Sequence, residues 1–169
     1  MSILVDTNVL LRLAQRASPH HLTAKSAVLS LVDASITLCI VPQVIYEFWV
    51  AATRPLEVNG LGLDIEATQQ SIQGLLHDYQ FLKDERGIFS HWHSLVADHQ
   101  VKGKSAHDAR LVAAMSRHDL RNLLTFNKPD FTRFAAIQVF TPDDVLAGQI
   151  PRSSFKTSEI VYRMAGELR

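Results

Sequence analysis

The chain opens with a short apolar run, Ile3-Leu4-Val5, that ends on an acid, Asp6. From Asn8 to about Arg16 the apolar residues Val9, Leu10 and Leu13 then follow at helical spacing. A strand, a turn and a helix in immediate succession constrain the whole fold. A strand that hands over to a helix cannot turn back on itself, so its neighbours in the sheet must come from later in the sequence.

Those later strands can be read. Ile36 to Val41 is a second β-rich run, and Pro42 behind it suits the first turn of a helix that carries Val44, Phe48 and Ala51 on one face. Arg54-Pro55 should end that helix. Glu57 to Leu63, with Asn59-Gly60 and Gly62, reads as a loop. Ile65, Thr68, Ile72, Leu75 and Tyr79 predict another helix, and Ile88 to about His99 a further one, with no strand expected between them. Ser105-Ala106-His107-Asp108 resembles a capping box ahead of Ala109, Val112, Ala113 and Ser116. Asn122 to Phe126 and Ile137 to Phe140 are the third and fourth strand candidates, and Thr141-Pro142 starts a short helix.

The order β-α-β-α-α-α-α-β-β-α predicts an α/β fold: a three-layer α/β/α sandwich around a mostly parallel sheet of four to five strands. With 169 residues, 47% of them hydrophobic, the chain can bury one substantial core but not two. We expect one domain over residues 1–147 and a C-terminal extension over 148–169, with a linker from Gly148 to Ser154 and a helical segment from about Ser158 to Leu168.

Lysine plus arginine balance aspartate plus glutamate at 17 each, so any surface for nucleic acid must be local. The single Cys39 lies within an apolar run and has no partner for a disulfide, which suits a reducing cytoplasm. Neither a signal-peptide pattern nor an apolar window of roughly 20 residues is found, so no membrane is expected as a partner.

Chemistry is sought where a parallel sheet places it, just beyond the carboxyl ends of its strands. Asp6 is such a residue, although capping the following helix would also account for it. Glu47 stands in the otherwise apolar stretch Val44-Ile45-Tyr46-Glu47-Phe48-Trp49-Val50, where an acid needs either a site to serve or a base such as Arg54 to pair with. Asp108 falls in the first turn of its helix, a position that capping with Ser105 would explain by itself. Asp130 follows the third strand in Thr125-Phe126-Asn127-Lys128-Pro129-Asp130, where a polar turn is the plain alternative. Taken together, four acids near one sheet edge supply the oxygen donors that hard divalent cations prefer.

These residues also carry a likeness. The segments Ile3 to Leu10, Glu47 behind Pro42, Ala106 to Ala114 and Leu123 to Phe131 resemble, in order and spacing, a PIN domain, over nearly the whole chain up to about Leu146. Asp6, Glu47 and Asp108 fall on the family's first three acidic positions, and Thr125 on the threonine or serine that commonly precedes the fourth. At the fourth, Asn127 stands where the family often has an acid, and Asp130 comes three residues later; we assign Asp130, with Asn127 as a polar helper. The resemblance implies a Mg²⁺- or Mn²⁺-dependent endoribonuclease, often the toxin of a toxin–antitoxin pair of the VapC type. It also implies an RNA substrate, a homodimer and an antitoxin partner. Asp6, Glu47, Asp108 and Asp130 would then be catalytic and hold the metal, with Thr7, Asn8, Thr125 and Asn127 supporting them or touching phosphate.

Other patterns carry less. Gly103-Lys104-Ser105 resembles the end of a P-loop, but the position that needs its first glycine is Asp98 and no strand precedes it. His91, His93, His99 and His107 lack zinc-ligand spacing. Trp49 and Trp92 read as core or contact residues, and Lys102 and Lys104 as a basic turn that could equally meet phosphates. Arg12, Arg110 and Arg133 could line the site or form ordinary ion pairs. Two other functions remain in play: a PIN-like module that binds RNA or protein without cleaving, and a phosphohydrolase of the haloacid-dehalogenase type. Against the latter, Asn8 stands where that chemistry needs a second aspartate.

Overall fold

A computed structural model of the chain describes residues 1–151. The expected helix from Ser158 to Leu168, and the linker beyond Pro151, lie outside the described residues. The elements are β1 (Ser2–Val5), α1 (Thr7–Ala14), α2 (His21–Asp33), β2 (Thr37–Ile40), α3 (Pro42–Thr53), α4 (Ile65–Asp78), β3 (Gln80–Phe81), α5 (Ile88–Asp98), α6 (Ser105–Arg117), β4 (Asn122–Leu124), β5 (Gln138–Phe140) and α7 (Pro142–Leu146). Short 3₁₀ turns span Leu56–Val58 and Lys128–Phe131.

The five strands form one sheet in the order β3-β2-β1-β4-β5, every pair parallel. The first strand is the middle of the sheet: Leu4 aligns with Cys39 of β2 on one side and Leu123 of β4 on the other. Ile3, Leu4 and Val5 are wholly buried, which is why β1 reads as a continuous apolar run rather than an alternating one. Burying three such side chains contributes on the order of 5–9 kcal/mol. Chain order reverses at β1, since β2 and β4 flank it, and this reversal opens a crevice at the carboxyl ends of β1 and β4.

Two elements depart from the expectation. A helix, α2, fills the span between the first two strands; its buried face is Ala24, Ala27 and Leu31, while Leu22, Leu29 and Val32 are exposed, so its apolar residues mark no single stripe. A strand also separates α4 from α5: Gln80 and Phe81 pair with Cys39 and Ile40, and the Leu82 amide donates to the Ile40 carbonyl at 2.9 Å. Two edge residues, both largely exposed, are too few to show a periodicity.

Smaller expectations are met or adjusted. Cys39 is buried. On α3 the buried face is Val44, Phe48 and Ala52, with Ala51 half-buried, and the helix stops at Thr53 before Arg54-Pro55. Thr141 caps α7 in a reciprocal box with Asp144. The capping box expected at Ser105 does not form: α6 already begins at Ser105, Lys104 holds the cap position without a side-chain bond, and Asp108 is left free. After α3 the chain folds back so closely that a Cβ on Gly60 would stand 1.9 Å from the Arg54 carbonyl oxygen, so only glycine fits. Among the described residues no helix is long and apolar enough to cross a membrane.

Candidate active site

Asp6 follows β1 directly, and its amide extends the ladder to the Leu124 carbonyl at 2.9 Å. Although it occupies the cap position of α1, its side chain caps nothing. The carboxylate oxygen Oδ2 instead accepts from Thr125 Oγ1 at 2.6 Å and from Asn8 Nδ2 at 2.7 Å. Asn8 Nδ2 also donates to Thr125 Oγ1, and Asn8 Oδ1 accepts from the Phe126 amide at 3.1 Å. A closed network thus ties the end of β1 to the end of β4, and it fixes the direction of the Asp6 side chain. The position where a haloacid-dehalogenase-type enzyme needs a general acid is filled by an amide that donates to Asp6.

Glu47 projects from α3 half-buried, and both of its oxygens are engaged by neutral donors. Thr7 Oγ1 donates to Oε2 and Gln43 Nε2 to Oε1, each at 2.8 Å. Arg54 forms no ion pair with it. Gln43 is a residue that the sequence reading did not single out. It is buried, it also donates to the His107 carbonyl at 2.9 Å, and its Oε1 accepts from Arg110 at 3.2 Å. It therefore joins α3 to α6, the helix that carries Asp108. The only advance sign would have been its place one helical turn ahead of Glu47.

Asp108 and Asp130 complete the acidic group from the other side of the crevice. Neither has a side-chain hydrogen bond or an ion pair among the described residues. Burial pushes Asp6 up to about 6 against the lowering effect of the Thr125 hydrogen bond, with the charges of Glu47 and Asp108 adding to the rise. Asp108 is also pushed up to about 6, first by burial, then by the charges of Asp130 and Glu47, eased by His107 and Arg133. Asp6 thus senses Glu47 and Asp108, and Asp108 senses Asp130 and Glu47. Asn127 joins by its backbone, its amide donating to Thr125 Oγ1 at 3.0 Å, while its side chain is exposed and makes no hydrogen bond among the described residues.

The donors offered here are all oxygens, which suits a hard divalent cation and disfavours zinc or copper. Among the described residues no three acidic, histidine or cysteine side chains stand close enough to enclose an ion as they are. No lysine or arginine is ion-paired with these carboxylates among the described residues, although the charge of Arg133 eases Asp108.

The set-aside features resolve in structural terms. Trp92 is half-buried and its Nε1 donates to the Ala106 carbonyl at 2.9 Å. Arg110 pairs with Asp84 at 2.9 Å, and Arg12 bonds Gln15. Lys102 and Lys104 are exposed.

A family model described as the PIN domain matches residues 3–137. No curated protein sequence matches the chain. Among solved structures, the chain is similar to VapBC2 from Rickettsia felis bound to a DNA fragment from its promoter, with TM-score 0.65 at 14% identity over 83% of this chain and 98% of that one. It is similar as well to VapBC-1 from nontypeable Haemophilus influenzae, with TM-score 0.62 at 16% identity over 85% and 99%. A third is VapC20 of Mycobacterium tuberculosis, a toxin that cleaves the sarcin–ricin loop, with TM-score 0.55 at 19% identity over 72% and 86%.

Proposed function

Because this chain belongs to the PIN-domain family, we propose that it is a Mg²⁺- or Mn²⁺-dependent endoribonuclease, acting as the toxin of a toxin–antitoxin pair. The observation that supports this reading is the coupling of the acids: the charges of Glu47 and Asp108 raise Asp6, those of Asp130 and Glu47 raise Asp108, and no basic side chain forms an ion pair with any of the four among the described residues. A domain kept only for binding would gain nothing from such mutual repulsion.

Asp6, Asp108 and Asp130 would hold the cation, with Glu47 orienting a water or a second ion. Once bound, the ion would supply Lewis acidity at a non-bridging phosphate oxygen and a water made more acidic for attack on phosphorus. The chain's own contribution is positioning. Thr125 and Asn8 hold the plane of the Asp6 carboxylate. Thr7 and Gln43 occupy both Glu47 oxygens with neutral donors, so that this carboxylate keeps its direction. Hydrolysis then breaks one P–O ester bond, with water delivering oxygen to phosphorus and a proton to the leaving oxygen.

The partners follow from the same reading. An antitoxin is proposed because one of the similar structures, from Klebsiella pneumoniae, is named as a toxin–antitoxin complex. A homodimer is proposed through α4, whose Ile65 and Leu76 are exposed apolar side chains beyond those the core uses. Purified protein should cleave RNA when Mn²⁺ is added, and Asp6→Asn should not. Equal activity of the two would refute the assignment. A small neighbouring reading frame encoding a DNA-binding protein would support the toxin role, and a monomer mass independent of concentration would contradict the dimer.

A further inference from the structure

Two open grooves meet at Arg110 of α6, which is in the wall of both: one runs along α3, the other along the start of α5 and the segment before it. One, of about 450 Å³, starts at Gln43 and Glu47 and follows α3 past Tyr46 and Val50 to Arg54. From Glu47 to Arg54 that stretch covers about 10 Å at the helical rise. The other, of about 400 Å³, is bounded by Arg86, Phe89 and Trp92.

Their chemistry is unlike the rest of this neutral chain. Tyr46 is 62% exposed and Phe89 is 69% exposed, so two large aromatic rings stand largely in solvent, that of Phe89 supported from its own helix by Trp92 and by the stacked ring of His93. Arg54 and Arg86 form no ion pair among the described residues. The two neighbouring acids are already neutralised, Asp84 by Arg110 and Glu85 by Arg117. A docked amphipathic helix would need a row of aliphatic pockets, yet Ile88 is buried and Val50 is the one exposed aliphatic side chain in the two linings. Aromatic faces interleaved with guanidinium groups match bases and phosphates instead. Stacking on such a face requires a base that is not already paired in a duplex.

We propose that the two grooves form one track for single-stranded RNA, with Tyr46 and Phe89 as stacking platforms for bases and Arg54 and Arg86 as phosphate contacts. The track ends at Glu47 and so would deliver a phosphodiester to the acidic group. Only this last step rests on the nuclease reading.

The test is fluorescence anisotropy with a labelled single-stranded oligoribonucleotide, carried out in the Asp6→Asn background so that no cleavage intervenes. Tyr46→Ala and Phe89→Ala should each weaken binding roughly 5-fold to 100-fold. Tyr46→Phe should stay within about 2-fold, because the ring is retained. Arg54→Ala should reduce the slope of log affinity against log salt by about 0.7. A blunt duplex of the same sequence should compete poorly. The proposal is overturned if the two alanine variants bind as tightly as their parent, if the duplex competes equally, or if the parent does not bind. It is also overturned if the variants keep RNA but lose a protein partner. Both side chains are mostly exposed, so an unchanged thermal midpoint confirms that the variants fold. The same oligonucleotide with wild-type protein and Mn²⁺ separates the two ideas. Binding that depends on Tyr46 without cleavage removes the nuclease and keeps the track; cleavage without that dependence does the reverse.

Discussion

The two sides of the crevice are built on opposite principles. On the strand side, Asp6, Asn8 and Thr125 form a closed hydrogen-bonded network across the ends of β1 and β4. On the other side, Asp108 and Asp130 have no side-chain hydrogen bond or ion pair among the described residues, and the charge of Asp130 adds to the cost of ionising Asp108. Both Asp6 and Asp108 are pushed up to about 6, first by burial and then by neighbouring carboxylates, but at Asp6 hydrogen bonds, that of Thr125 foremost, oppose the rise, whereas at Asp108 only the charges of His107 and Arg133 do. One side is therefore set in place by the fold. The other carries carboxylates whose charges oppose one another, a cost that a bound cation would relieve.

The largest effect that would sharpen this contrast is loss of chemistry. Asp6→Asn and Asp108→Asn should each lower Mn²⁺-dependent cleavage by roughly 10³-fold, since each removes several kcal/mol of charge stabilisation. Retained activity in either variant would make the two sides unequal in a way that the electrostatics do not support.

Next is the dependence of stability on pH. The Asp6 carboxyl holds its proton up to about 6 in the folded chain, against about 3.9 when unfolded. Between those values the folded state binds more protons, so its stability falls as pH rises through the window and then levels off. For buried Asp6 this amounts to at most on the order of 3 kcal/mol. Asp108 acts in the same direction, but its partial exposure reduces the effect. Metal-free Asp6→Asn should escape the loss, and denaturant melts from about pH 4 to about pH 7 should show its advantage growing with pH. Added Mn²⁺ should restore the wild type alone. A constant difference across that range would break the argument.

Thr125→Val tests the fixed side directly. It should weaken Mn²⁺ binding by about 10-fold to 100-fold, readable by calorimetry without any turnover. The smallest effect separates the two residues that compete for the fourth position. Asp130→Asn should reduce Mn²⁺ affinity by about 10-fold, while Asn127→Ala should stay within about 2-fold, because only the backbone of Asn127 takes part. The reverse result would move the fourth ligand to Asn127.

Much of this was written in the chain. A continuous apolar run ending on an acid announced a buried parallel strand, since burial on both faces leaves no alternation, and the four candidate acids were visible because each stands where an apolar or turn pattern breaks. The sequence also displayed the small residues of α6 and the cap of α7, both of which depend only on neighbours within a turn or two. What it did not display were α2, with its divided apolar residues, the two-residue strand β3, and Gln43, whose three partners come from α3 and α6. Nor could it show whether Asp6 caps its helix or Asp108 closes a box with Ser105. Local pattern is set by which face of an element is buried, and burial is largely legible in residue type. A hydrogen bond between residues more than a hundred positions apart, such as Thr125 to Asp6, exists only once β1 and β4 lie side by side, and it is this pairing that turned a plausible cap into the anchor of a site.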